Sequence, residues 1–334
     1  MEEQRSVGCG LWSLILAVLA GLILFCICAC CLILVFFSAG NNPYPVNLDI
    51  FGTPTPIKTC AGLLENIHQT PGANKNIQVD QRYLLDVYQI SGDELQGPEL
   101  REAPANLLPL RNDLAAQKLI WEYFTYLIPP DERQPLNEYR IFSDGTGNSN
   151  GYYEISWQWQ GEQQSQTWAL EIDLADYDGL KSINDALIHE FGHMLTLNID
   201  QIDIRTPPAD CLAYADENQC SFPDSYLNQF FQQFWAGETF TEWQAITSQA
   251  DPQAVKSGLA EFYQARSSDF VREYAASAPK EDLADTWTYF VMTPRPPGET
   301  LAEQKILFFY QLPKFVELRT QLRGRICEYY NLPE

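Results

Sequence analysis

Only three histidines occur in the 334 residues, and two of them, His189 and His193, stand four positions apart in His189-Glu190-Phe191-Gly192-His193. On an α-helix, residues four apart project from one face, so both imidazoles can reach a single metal ion. Glu190 lies about 100° further round the axis. Its carboxylate is therefore set beside such an ion rather than on it, suited to hold a water there. The surrounding stretch, Lys181–Asn198, reads as a helix whose start carries Ser182 and Asp185 in a variant of the capping box. Its other positions include Ile183, Leu187, Ile188, Phe191, Met194, Leu195 and Leu197, apolar on every side, as in a helix that lies in a core. Two imidazoles and a carboxylate in that setting are costly unless paired or bound to a cation. Gly192 leaves room for a second backbone to approach.

Zinc in a hydrolase usually takes three protein ligands and one water. His68, the remaining histidine, sits among Glu65, Asn66 and Gln69 and reads as part of a polar helix surface. Asp200 and Asp203 follow the second histidine closely and are weaker candidates. A better one lies in Pro279–Met292, where Glu281 and Asp285 are four apart on a helix with an apolar stripe of Leu283, Trp287, Phe290 and Val291. Glu281 can bind the ion while Asp285 accepts the N–H of a ligand imidazole and fixes its tautomer.

His-Glu-x-x-His followed on a later helix by Glu-x-x-x-Asp resembles the gluzincin clan of zinc metallopeptidases. The stretch Leu187–Gln201 (LIHEFGHMLTLNIDQ) and the strand before it are also similar to uncharacterised bacterial membrane-anchored proteins assigned to the zinc metallopeptidases. The resemblance runs from Leu107 to Met292. It implies a zincin-like fold with one Zn2+ per chain held by His189, His193 and Glu281, Glu190 as catalytic base, and Asp285 behind a ligand histidine. The substrate is then a peptide or protein, attacked by a water that the zinc acidifies and Glu190 deprotonates. The oxyanion needs a further donor; with no spare histidine, Tyr289 and Tyr214 are both candidates. Glu281 follows His193 by 88 positions, a long spacing for the clan.

Several elements must position these groups. Arg82–Ile90 alternates as a strand, Asn106–Leu127 reads as a helix stopped by Pro129-Pro130, and Tyr139–Phe142, Tyr152–Gln160 and Thr167–Leu174 read as strands. After Gly179 the pattern is helical. A small sheet followed by a helical C-terminal half gives an α+β fold class. The resemblance to zincin folds implies that the strand Thr167–Leu174 lines the cleft and pairs with an extended substrate, although by its own pattern it reads equally as an ordinary amphipathic strand. The loop Asn198–Phe222 can roof that cleft, and Tyr226, Phe230, Phe231, Phe234 and Trp235 read as helix core.

Ahead of this domain, Leu11–Phe37 runs for 27 residues without a charge, long enough to cross a bilayer. It reads as an uncleaved signal anchor in contact with lipid. Arg5 and the α-amino group on its N-terminal side put residues 1–10 in the cytoplasm and the rest outside. A proline-rich stalk at 38–59 then leads to a folded domain at 60–334. Cys9, beside the span, is a small membrane-compatible residue. Four ectodomain cysteines can form two disulfides, Cys211 with Cys220 and Cys60 with Cys327. With 21 basic against 44 acidic residues, a net of −23, the chain should repel phosphate backbones, which excludes nucleic acid as a partner. The rival to a tethered peptidase is a non-catalytic surface module that keeps zinc for binding a protein or glycan. An intramembrane protease is excluded, because Lys181, Asn184, Asp185 and Asp200 crowd the histidine helix too closely for a 20-residue span.

Overall fold

The structure, a computed structural model, describes residues 60–61, 76–147, 151–160, 163–216 and 219–332. The expected membrane span at 11–37, its flanks at 1–10 and 38–59 (Cys60 begins the domain) and His68 lie outside the described residues. Among the described residues no helix is long and apolar enough to cross a membrane.

The domain is mixed α/β. Its sheet contains β1 (Tyr83–Ser91), β2 (Glu94–Leu100), β3 (Leu136–Ser143), β4 (Gly151–Gln160) and β5 (Gln163–Asp173), in the order β2-β1-β3-β5-β4. Only the β3–β5 pair is parallel. β2 escapes a reading of the sequence because its side chains are mostly exposed and carry no apolar alternation. The expectation that Thr167–Leu174 pairs with substrate is corrected here. β5 is hydrogen-bonded to β3 on one side and β4 on the other, so both its edges are occupied. β4 and β2 are the edge strands, and β4 is the one that packs beside the histidine helix.

Between β2 and β3 the expected single helix is two: α1 (Leu108–Arg111) and α2 (Leu114–Leu127). Asp113 interrupts them because its side chain accepts from the Ala116 N–H at 3.1 Å and caps α2. After β5 come α3 (Leu180–Thr196), α4 (Tyr226–Phe234), α5 (Glu238–Thr247), α6 (Pro252–Ala265), α7 (Pro279–Met292), α8 (Leu301–Phe309) and α9 (Pro313–Tyr329), with a two-stranded pairing of β6 (Ile202–Asp203) and β7 (Cys220–Ser221) in the loop after α3. The start of α3 differs from expectation. Its N-cap is Gly179, at φ +104°, and Ser182 lies inside the helix rather than at its end.

From Leu187 to Thr196 every residue of α3 is buried, whereas Lys181 in its first turn is exposed, and its main partner is α7. Gly192 sets their spacing. A Cβ there would stand 2.7 Å from Trp287 Cδ1 and 3.3 Å from the Ala284 Cα, so only glycine permits this approach. Across the same contact the Trp287 indole N–H donates to the Ile188 carbonyl at 3.1 Å. Disulfides join Cys60 to Cys327, near the two ends of the domain, and Cys211 to Cys220 within the loop after α3.

Candidate metal centre

The close approach of α3 and α7 brings His189, His193 and Glu281 together. His189 Nε2 lies 3.2 Å from Glu281 Oε2, and His193 Nε2 lies 3.1 Å from the same oxygen. All three ligand atoms fall within 4.8 Å of one another. Tetrahedral zinc with bonds of about 2.0–2.1 Å separates neighbouring ligand atoms by about 3.3–3.4 Å. The two distances to Glu281 are close to that spacing, and the imidazole and carboxylate donors suit such an ion in chemistry. Both histidines are buried, and Glu281 is partly so.

The elements explain the convergence. The i, i+4 spacing on α3 turns both rings the same way, 4.8 Å apart and nearly perpendicular. Glu281 belongs to the first turn of α7, which follows Pro279 at a helix start. Burial opposes charge on His189, but Asp285, Glu281 and Glu190 outweigh it and raise its pKa well above the usual imidazole range. Burial likewise opposes charge on Glu281, yet His193 and His189 hold its carboxyl well below the usual carboxylate range.

Behind the ligands, His189 Nδ1 is 2.7 Å from Asp285 Oδ1. A carboxylate accepts, so Nδ1 carries a proton and Nε2 is the ring nitrogen that faces Glu281. Asp285 is itself gripped by Arg272, whose Nε donates to Oδ2 at 2.8 Å and whose terminal N–H donates to Oδ1. The other terminal nitrogen of Arg272 donates to Asp185 Oδ2 at 2.5 Å. Asp185, Arg272, Asp285 and His189 therefore form one chain of hydrogen bonds ending on a ligand. His193 is different: its buried Nδ1 meets no acceptor among the described residues. Its orientation rests on the contact of Nε2 with Glu281 and on helix packing.

Glu190 is 5% exposed and close enough to His189 for its charge to act there. Asp200 is exposed, and Asp203 is engaged within its own loop, accepting from the Arg205 N–H at 2.9 Å and the Thr206 hydroxyl at 2.8 Å. Neither joins the ligand cluster. Tyr214 is 3% exposed, and burial first, then Asp216 and Glu281, push its hydroxyl pKa up. Tyr289 lies one turn beyond Asp285; burial raises its pKa while Arg272 lowers it, which puts it near the Arg272–Asp285 pair.

Three further groups lie outside the expected set. Arg272 carries no local signature in the sequence. Asp185 carries one, as an acid one helical turn before the first ligand in an apolar helix. Tyr274 stands 49% exposed with its ring 5.7 Å from that of His189, the most solvent-facing aromatic group at the centre. No family model, no curated protein and no solved structure matches the chain.

Proposed function

We propose that this protein is a zinc-dependent peptidase of the gluzincin kind, anchored by residues 11–37 and hydrolysing peptide bonds outside the membrane. The observation that carries this reading is the convergence of His189, His193 and Glu281 within 4.8 Å of one another, with Asp285 accepting from the Nδ1 of the first ligand. A mixed sheet with one antiparallel edge strand beside the histidine helix supports a zincin-like fold.

The ligands for zinc would be His189, His193 and Glu281. When bound there, zinc supplies an electrophile for a carbonyl and acidifies a water to a pKa of about 7. Glu190, one position from a ligand and buried, takes the proton from the attacking water and passes it to the leaving amine. Asp285 and Arg272 keep His189 in the tautomer that presents Nε2. For the developing oxyanion, Tyr274 is a better donor than Tyr214 or Tyr289, because its ring borders His189 on the solvent side while theirs are more deeply packed. β4 offers the strand edge to which an extended substrate can add.

The test is elemental analysis of the purified full chain in detergent, followed by a peptide-library screen with Glu190→Gln beside it. One zinc per chain, and cleavage abolished in Glu190→Gln, is the expected result. Zinc without cleavage, unchanged by Glu190→Gln, would favour a zinc-containing binding module. Folded protein that takes up no zinc would end both readings.

A further inference from the structure

Beside the first turn of α7, which carries Glu281, lies a cavity of about 720 Å³. One part of its wall comes from the loop after α3, with Ala213, Tyr214 and Ala215; another comes from α5, with Phe240, Trp243 and Thr247. The two parts meet where the Tyr214 ring lies 6.1 Å from that of Phe240, and Phe240 is stacked on Trp243 at 5.4 Å. The cavity also reaches the foot of α7, where Ala278 and Lys280 line it immediately before the ligand Glu281. The ion pair between Lys280 and Asp216 at 3.3 Å ties the two places together, since it joins the loop to the residue before Glu281 and both partners line the cavity.

The lining is selective in its chemistry. Its two charged groups, Lys280 and Asp216, lie 3.3 Å apart and offset one another. A charged guest would thus lose water without gaining a net countercharge. The indole N–H of Trp243 is already committed to the Ser277 carbonyl at 2.8 Å, which leaves the ring face as what it offers. Small alanine side chains beside stacked aromatic rings suit a flat, apolar guest, held by ring–ring contact and area burial. The disulfide between Cys211 and Cys220 closes the loop that carries Tyr214.

We infer that this cavity receives a large uncharged side chain, aromatic above all, of the peptide whose scissile bond lies at the metal centre. The inference rests on the peptidase reading for the word peptide, but the binding itself can be measured without activity. The probes are N-acetyl-phenylalaninamide and N-acetyl-glutamic acid α-amide, whose side chain is ionised, followed by saturation-transfer NMR on the full chain in detergent. The variants are Ala213→Trp, which fills the cavity from the loop, and Thr247→Trp, which fills it from the rim of a solvent-facing helix and should fold normally.

The expected result is binding of the phenylalanine probe, at least tenfold weaker in both variants with zinc content unchanged, and no comparable binding of the glutamate probe. If the phenylalanine probe binds no better than the glutamate probe, or equally well to both folded variants, the inference is overturned. The two readings can fail separately. Zinc-loaded protein that cleaves peptides without aromatic preference sinks the cavity assignment alone. Protein without zinc or activity that still binds the phenylalanine probe, and loses it in the variants, sinks the peptidase reading and keeps the site.

Discussion

Helix α7 buries acidic side chains on two faces, and the two faces resolve their charge differently. On one, Asp282 Oδ2 lies 2.6 Å from Lys305 Nζ and accepts the Trp235 indole N–H at 2.7 Å. The lysine head sits 4.0 Å from the Phe270 ring centre, and neither charged side chain reaches solvent. Charge and hydrogen bonds are matched there by protein groups. On the other face the Nε2 atoms of two imidazoles meet one carboxylate oxygen of Glu281. That cluster can hold a shared metal ion, whereas on the Asp282 face a lysine already supplies the positive charge. Buried charge alone does not distinguish a site from a structural pair.

The largest expected effect is on metal content. His193→Ala or Glu281→Ala should reduce zinc from one per chain to near none by elemental analysis, while Asp282→Asn should leave it unchanged. Equal loss in all three would erase the distinction between the faces. Next comes chemistry without binding. Tyr274→Phe should lower kcat by about 10²–10³ if it donates to the oxyanion, with zinc content and KM near those of the parent; an unchanged kcat removes it from the mechanism.

On the closed face, Lys305→Met leaves Asp282 buried and without its cation, which should cost about 3–5 kcal/mol of stability in urea unfolding. Adding Asp282→Leu should recover most of that loss, whereas no double substitution of the ligand set could restore zinc. Between the helices, Gly192→Ala forces a methyl toward Trp287 and the Ala284 backbone. A cost of about 1–3 kcal/mol is expected, together with weaker zinc retention against a chelator. Retention equal to the parent would mean that the centre does not depend on this spacing.

The smallest effect concerns a third buried acid, on the sheet. Burial foremost, with Asp144 adding to it, raises Asp173 from 3.8 to about 7, although the backbone N–H groups of Asp144 and Ala175 partly offset this. The folded state therefore holds this proton more tightly than the unfolded chain. Stability should fall as pH rises from about 4 to about 7 and level off above. Asp144→Asn should make that fall shallower in urea titrations at pH 5 and 8; an identical slope would show that burial alone sets it.

Much of the centre is legible in the amino-acid sequence. The spacing of His189 and His193, the apolar surround of their helix, the room left at Gly192 and the helix beginning at Pro279 all depend on periodicity over a few residues, and these survive in the fold. The boundaries and partners are less legible. Asp113 splits a helix through one side-chain hydrogen bond, β2 forms with its side chains in water, and β5 has neighbours on both sides because β4 folds back along it.

The sequence by itself determined which residues could ligate a metal and which helical faces would carry them, because helix geometry turns fixed spacings into fixed directions. Only the tertiary structure decided that Glu281 meets His193 across 88 positions, that Arg272 grips Asp285 and reaches Asp185, and that Lys305 rather than a metal answers Asp282. Those contacts arise from how α3, α7, α8 and the segment between α6 and α7 that carries Arg272 pack. Their information is spread over every side chain at the interfaces, with Gly192 and Trp287 at the closest point, and no local pattern records it.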